Sequence, residues 1–267
     1  MSEANNEITP LHTLNPLHRF SDRVEYYVKY RPSYPTVVID KILENLTSLT
    51  QLVAADIGAG TGISSRLLAA RGVKVIAVEP NAEMRNAAEN HSNVEWKDGT
   101  AENTNLPDAS VDLITCFQAF HWFTPEPTLS EFRRILKPQG RLAVVWNNRD
   151  LLAAALRDRN DEFTAEYSRI VRVASNNHPA ESRIKTVEYL TETTYFKNFY
   201  EYNFDYQQEL DKSGLIGRAM SSSYVPRKGE TYEQVISELE NLYQQFKNQQ
   251  GFVYMTYSTS LHLGEVN

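Results

Sequence analysis

Cysteine occurs once in the 267 residues, at Cys116, which excludes an internal disulfide and any multi-cysteine metal site. Positive charge is in deficit: 27 Lys and Arg against 34 Asp and Glu leave a net charge of −7. Nucleic-acid binding draws most of its affinity from clustered Lys and Arg, so no DNA or RNA partner is expected. No uncharged apolar run approaches the ~20 residues of a membrane helix, so no membrane partner is expected either. The six histidines, at 12, 18, 91, 121, 178 and 262, show no ligand-like spacing, and no metal is expected. The opening "MSEANNEITPLHTLN" lacks the basic start and apolar stretch of a secretory signal. These absences predict a soluble, cytoplasmic protein; its oligomeric state is left open between monomer and homodimer.

What is present is an ordinary globular composition, 41% hydrophobic and 23% charged, with a strong rhythm between residues 53 and 147. "QLVAADIG", "VKVIAVEP", "NVEWKDGTAE", "SVDLITCFQAF" and "RLAVVWNN" read as five strands, and "TPEPTLSEFRRILKPQG" reads as a helix. In that helix Thr124 is a candidate N-cap, Pro125 suits the first turn, and Leu129, Phe132 and Leu136 mark the inner face. Near-continuous apolar strands alternating with connections predict a parallel sheet covered on both faces. Upstream, "RFSDRVEYYVKYRPSYPTVVIDKILENL" reads as helix, proline-punctuated turn and helix. Downstream, "LRDRNDEFTAEYSRIV" reads as a helix that breaks the rhythm. It is followed by a strand at "NFYEYNFDYQQEL", two further helical stretches, and a closing strand at "GFVYMTYSTSLHLGEV".

The segment "VAADIGAGTGIS", residues 53–64, places Gly58, Gly60 and Gly62 directly after an apolar strand. Three glycines in five positions exceed the needs of a turn and predict close approach of a ligand to the backbone. A phosphate-cradling P-loop requires Gly-Lys-Ser/Thr, which is missing. The dinucleotide pattern G-x-G-x-x-G places its third glycine at position 63, which is Ile63 here. The third possibility is S-adenosylmethionine, which has no pyrophosphate to cradle. Glu79 ends the second strand, where its carboxylate would accept bonds from both ribose hydroxyls. A ribose diol is common to both nucleosides, so Glu79 alone leaves a nicotinamide-dependent oxidoreductase open.

Taken together, "DIGAGTG", "VEPNAEM", "GTAENTNLPDASVDLIT" and "RILKPQGRL" resemble the consecutive motifs of class I S-adenosylmethionine-dependent methyltransferases. The stretches "RFSDRVEYYVKYRPSYP", "FQAFHWF", "SSSYVPRKGETYEQ" and "YMTYSTSLHLGEV" further resemble the trans-aconitate methyltransferase-like subgroup of small-molecule enzymes. The resemblance implies an α/β fold, a doubly wound, mostly parallel seven-stranded sheet of Rossmann-like type. It also implies an N-terminal helical segment at 1–50 closing over the cofactor, a cofactor-binding core at 51–149, an inserted cap at 150–195 and a C-terminal part at 196–267 completing the sheet. The implied cofactor is S-adenosylmethionine and the implied partner a small-molecule methyl acceptor. The expected cofactor contacts are Tyr30, Arg31, Asp56, Gly58, Gly60, Gly62, Glu79, Pro80, Met84, Thr100, Ala101, Glu102, Gln118 and Trp122. Asp56 would face the methionine ammonium or orient the loop, and Arg31 would pair with the methionine carboxylate or serve as a surface ion pair.

Transfer of a sulfonium methyl is an in-line displacement that positioning and water exclusion can drive, which accords with the lack of any acid–base dyad. A carboxylate acceptor needs no base, whereas a hydroxyl or amine would need one, and His121 is the candidate. The 15 tyrosines and 11 phenylalanines suggest an apolar pocket with hydroxyl handles, for which Tyr224, Tyr254 and Tyr257 are candidates. A non-catalytic S-adenosylmethionine-binding protein remains a third reading.

Overall fold

The computed structural model describes residues 21–46, 48–149, 161–175 and 182–267. Residues 1–20 of the expected N-terminal segment, and residues 150–160 and 176–181 of the expected insertion, lie outside the described residues.

Helices α1 (Val24–Tyr30) and α2 (Thr36–Leu43) flank the Pro32/Pro35 break. The prolines stop one helix and set the extended entry to the next, since Pro35 holds φ −61 and ψ 138 at the N-cap of α2. Val38, Ile39, Ile42 and Leu43 of α2 are buried, and their i, i+1, i+4, i+5 spacing puts them on one face of the helix.

The core runs β1 (Val53–Ile57), α3 (Ile63–Ala69), β2 (Lys74–Val78), α4 (Ala82–Asn86), β3 (Val94–Lys97), β4 (Val111–Phe117), α5 (Pro125–Ile135) and β5 (Leu136–Asn148). Then come α6 (Glu162–Ala174), α7 (Ser182–Glu192), β6 (Phe196–Leu210), α8 (Lys212–Met220), α9 (Glu230–Phe246) and β7 (Val253–Val266). The seven strands form one sheet in the order β3-β2-β1-β4-β5-β7-β6. The pairings from β3 to β5 are parallel, and β7 runs antiparallel to both β5 and β6. This is the doubly wound, mostly parallel α/β fold expected.

Successive strand residues face opposite sides. Ala55, Ile57, Ile114, Cys116, Val144 and Trp146 pack on one side with α5, while Ala54, Leu113, Ala143 and Val145 pack on the other with α2 and α3. Burial holds the Cys116 thiol well above its usual range, so it serves as a small apolar residue. A third cluster, built from α6, α8, α9 and the β6–β7 hairpin end (Leu210, Val253, Met255, Tyr257), sits at the edge of the sheet.

Two local readings change. Leu136 is buried but begins β5, opposite Val111, instead of closing the inner face of α5. Thr124 stands at the N-cap of α5 without a side-chain capping bond; its amide donates to Glu102 at 2.9 Å instead. Among the described residues, no helix is long and apolar enough to cross a membrane.

Candidate functional site

β1 and β4 are adjacent at the centre of the sheet, so their carboxyl ends open side by side, where the strand order reverses. The chain leaves β1 through a crook in which Gly58, Gly60 and Gly62 hold φ of +69, +59 and +76. Side chains rarely adopt that region, which accounts for three glycines in five positions. At Gly60 the space faces Met84 and the Tyr27 ring, with an added Cβ 3.4 Å and 3.5 Å from their nearest atoms. At Gly58 and Gly62 the space is filled by Ala119 and Trp96, where an added Cβ would stand at 2.7 and 2.9 Å. The open position of the crook is therefore Gly60.

Asp56 is fully buried and turned towards the start of α3 and towards β4. Oδ2 accepts the Ser64 and Ser65 hydroxyls at 2.6 Å and Oδ1 accepts Thr115 at 2.8 Å. Burial raises its pKa, and the three hydroxyls oppose the rise. These bonds tie the end of β1 to the start of α3 and to β4.

Glu79, at the end of β2, is also buried. Its Oε2 accepts the Gly60 amide and its Oε1 the Asn81 amide, both at 2.9 Å. Burial raises its pKa against the pull of those two amides. Two bonds leave about half of a carboxylate's acceptor capacity unused. Pro80 follows in the turn, and Asn81 caps α4 by accepting the Met84 amide at 3.1 Å, which fixes Met84 beside the crook. In the turn after β3, Thr100 accepts the Asn103 amide, Ala101 is buried, and Glu102 ties the turn to the start of α5.

Gln118 leaves β4 at φ +55, its amide bonded to Val145 and its side chain to the Asn147 carbonyl. Trp122 and His121 follow in a single 3-10 turn with ring centroids 5.3 Å apart. The His121 Nδ1 accepts the indole N–H of buried Trp146 at 3.2 Å. A neutral imidazole has one acceptor nitrogen, and here it is the one bonded to Trp146. The candidate base therefore also holds a structural bond to Trp146.

The N-terminal segment reaches this region through α1. Arg31 stacks on Tyr27, 4.7 Å from the ring centroid, and its buried Nε has no acceptor. Tyr30 packs elsewhere, on the backbone of α8 at Gly217, where a Cβ would fall 2.1 Å from its ring. Tyr27, unmarked in the sequence reading, is the aromatic ring that overhangs Gly60.

The tyrosine trio divides. Tyr224 and Tyr257 lie among Arg149 and Arg218: Arg149 Nη2 donates to Tyr224 at 3.2 Å and Arg218 Nε to Tyr257 at 3.1 Å. Tyr254 is exposed on the opposite face of β7 and donates to Glu209 across the β6–β7 pair. It does not belong to the cluster. Burial alone would raise the Tyr224 phenol, but Arg149, then Arg218, the Ser222 hydroxyl and Arg31 outweigh it and bring it down to about 7. Arg149 and Arg218 went unread in the sequence. The first stands just past the end of β5, and strand ends were the signal that marked Glu79 and Gln118.

The site fits an adenosyl sulfonium ligand on its own evidence. An open glycine crook, a buried acid with spare acceptor capacity, and an unpartnered buried Thr61 hydroxyl converge beside an unpartnered guanidinium nitrogen. Together with the strand order, these features define a class I methyltransferase fold. Residues 55–144 match the family model described as "Methyltransferase domain". An uncharacterized methyltransferase-like protein of Schizosaccharomyces pombe is 38% identical over 50% of this chain and 53% of its own length. An uncharacterized methyltransferase of Mycobacterium bovis is 41% identical over 49% and 53%. The chain thus spans about half the length of the curated relatives it matches. Among solved structures, a candidate type II methyltransferase from Anaeromyxobacter dehalogenans shares the fold at TM-score 0.66 and 22% identity, covering 88% of this chain and 98% of that one. Residues 55–144 are thus similar to a methyltransferase domain, and the chain shares the fold of a methyltransferase.

Proposed function

We propose that this protein transfers a methyl group from S-adenosylmethionine to a small organic acceptor by in-line displacement. The observation that carries the reading is the lock between Glu79 and Gly60: a buried acid held by the crook's own amide, with acceptor capacity left for a ribose diol. Thr61 and Arg31 add unpartnered donors for the methionine end, and Met84 and Ala101 add apolar surface for the adenine. The cofactor supplies a methyl already activated by its positive sulfur.

The chain's own work is then positional. Asp56 fixes the crook, Gln118 fixes the exit of β4, and the Phe120–Phe123 aromatic turn excludes water from the space in front of them. With the acceptor nitrogen of His121 engaged by Trp146, no side chain among these is placed as a strong base. That favours an acceptor whose nucleophilic atom needs no deprotonation.

Calorimetry with S-adenosylhomocysteine and with NAD, followed by transfer of labelled methyl to acceptor mixtures, tests the reading. Binding of S-adenosylhomocysteine with methyl transfer supports it. Binding of NAD alone replaces it with the oxidoreductase, and binding without any transfer favours the non-catalytic alternative.

A further inference from the structure

Arg31 sits on an extended link between α1 and α2. It leaves α1 at φ −64 and ψ 139, and prolines follow at positions 32 and 35. Backbone of that shape makes few hydrogen bonds with itself, so the bonds its carbonyls make elsewhere fix its course. Two such bonds bracket Arg31. The Tyr30 carbonyl, at the C-terminus of α1, accepts the Gln208 side chain at 3.0 Å, and the Ser33 carbonyl accepts the Asn147 side chain at 3.0 Å. Both donors lie on strands that pair with β7: Gln208 on the edge strand β6 and Asn147 near the end of β5.

The orientation of both amides is dictated by their partners. A carbonyl only accepts, so Nδ2 of Asn147 faces Ser33, and Oδ1 accepts the buried Thr259 hydroxyl at 2.7 Å from the opposite position of β7. Gln208 follows the same rule: Nε2 faces Tyr30 and Oε1 accepts the Tyr257 hydroxyl at 3.0 Å. Asn147 is buried at the end of a strand face whose preceding residues, Ala143 and Val145, are apolar. An amide there is costly unless its bonds are made, and packing alone calls for an apolar side chain. Asn147 also holds Gln118, whose side chain donates to its main-chain carbonyl at 2.9 Å. Two of the expected cofactor contacts, Arg31 and Gln118, thus share one neighbour.

The Arg31 guanidinium stacks on the Tyr27 ring that overhangs Gly60, and its buried Nε has no acceptor. A long side chain on a loose backbone loses conformational freedom when a ligand arrives. One whose backbone is clamped beforehand loses less and binds more tightly. We propose that Asn147 and Gln208 are positioning residues for the methionine end of S-adenosylmethionine, acting by clamping the backbone on both sides of Arg31. This rests on the methyl-transfer reading and deepens it: the strands that complete the sheet also set the grip of the N-terminal segment on the cofactor.

The test measures, by calorimetry on the whole protein, affinity for two ligands. One is S-adenosylhomocysteine; the other is 5′-methylthioadenosine, which keeps the adenosine and lacks the amino-acid end. Asn147→Leu, close in volume, removes the bond to Ser33. It is expected to weaken S-adenosylhomocysteine about tenfold while 5′-methylthioadenosine stays within about twofold. Gln208→Met removes the bond to Tyr30 at a half-buried position. It is expected to show the same preference with a loss of about threefold or more. A purely structural role would weaken both ligands alike. Arg31→Met is expected to weaken S-adenosylhomocysteine, and adding Asn147→Leu to it to weaken binding by less than about a further twofold, since the clamp acts through Arg31.

The proposal is overturned if both clamp variants bind S-adenosylhomocysteine as the parent does, or if they lose both ligands equally. It is equally overturned if Arg31→Met binds as the parent does, or if the double variant shows the full product of the single losses. Should Asn147→Leu fail to fold, Gln208→Met decides by the same two ligands. A parent that binds neither ligand overturns the cofactor reading itself, and the proposal with it.

Discussion

Glu79 accepts the amide of Gly60 through one carboxylate oxygen and the amide of Asn81 through the other, both at 2.9 Å. One side chain thus ties the crook after β1 to the turn after β2. Replacing it by Gln keeps the volume but turns one acceptor into a donor, setting N–H against N–H. Loss of a charge-assisted bond of ~1.5–3 kcal/mol predicts a drop of about tenfold to a hundredfold in S-adenosylhomocysteine affinity for Glu79→Gln. Burial raises the Glu79 pKa, so affinity is expected to decline on acidification before ordinary carboxylates titrate. The sign for the ligand-free protein is the reverse: with a raised folded-state pKa, the Glu79 contribution to stability is present at low pH and lost as pH rises. Calorimetry across pH with the parent and Glu79→Gln checks both. Unchanged affinity in the variant would remove Glu79 from the site.

A second carboxylate carries the acid stability of the core. Glu131 accepts the Thr104 amide and hydroxyl at 2.8 and 2.6 Å and pairs with Arg134, which also pairs with Asp108. Burial would raise Glu131, but bonds from Arg134 and Thr104 outweigh it and hold its pKa at about 2. With a depressed folded-state pKa, the stabilisation is present above the usual 4.5 and lost as pH falls towards 2. Discounted for the part-exposed Arg134, the contribution is ~2 kcal/mol. Glu131→Gln is expected to lower neutral-pH stability by that amount and to flatten the acid limb of a pH–stability profile. A variant with the parent's acid limb would refute the assignment.

Most of this framework was legible because it depends on local rules. The apolar runs that became β1, β2, β4 and β5 are buried on both faces, and that is why they read as nearly continuous. The crook was legible because its three positive-φ positions each demand glycine. What was not legible depends on contacts distant in sequence. Arg149 and Arg218 are 69 positions apart, and neither alone signals a site. Tyr30 and Tyr27 lie on one short helix, and only the docking of α1 on α8 decides which ring faces Gly60. Tyr254 is a different kind of miss: three positions from Tyr257 on one strand, it must face the other side, and the period of two already said so. Leu136 was assigned to a helix because the helical and strand readings of "ILKPQG" overlap there. Pairing with Val111 decides it.

His121 tests whether the aromatic turn is chemical or structural. Its Nδ1 accepts the Trp146 indole N–H at 3.2 Å, and Trp146 is buried. His121→Ala leaves that N–H without a partner and is expected to cost ~1–3 kcal/mol of stability. His121→Gln offers an amide oxygen instead and is expected to recover much of that stability. Its turnover should stay within a few-fold of the parent, with an unchanged pH–rate profile. A Gln variant that folds normally yet loses turnover by about a hundredfold or more would restore His121 as a base.

Gly217 carries the coupling between the N-terminal segment and the third cluster. A Cβ there would stand 2.1 Å from the Tyr30 ring, and the Tyr30 carbonyl accepts the Gln208 side chain at 3.0 Å. In an unconstrained helix, Gly→Ala stabilises by roughly 0.5–1 kcal/mol. Here the added methyl must expel the ring, so the sign reverses and Gly217→Ala is expected to lower Tm. Because α1 also positions Tyr27 and Arg31, the same change is expected to weaken S-adenosylhomocysteine binding, although Gly217 belongs to α8 and not to the crook. The double variant Tyr30→Ala, Gly217→Ala removes the clash, so its stability loss should fall short of the sum of the single losses. Additive losses, or a Gly217→Ala protein as stable as its parent, would show that α1 does not dock on α8 through this contact.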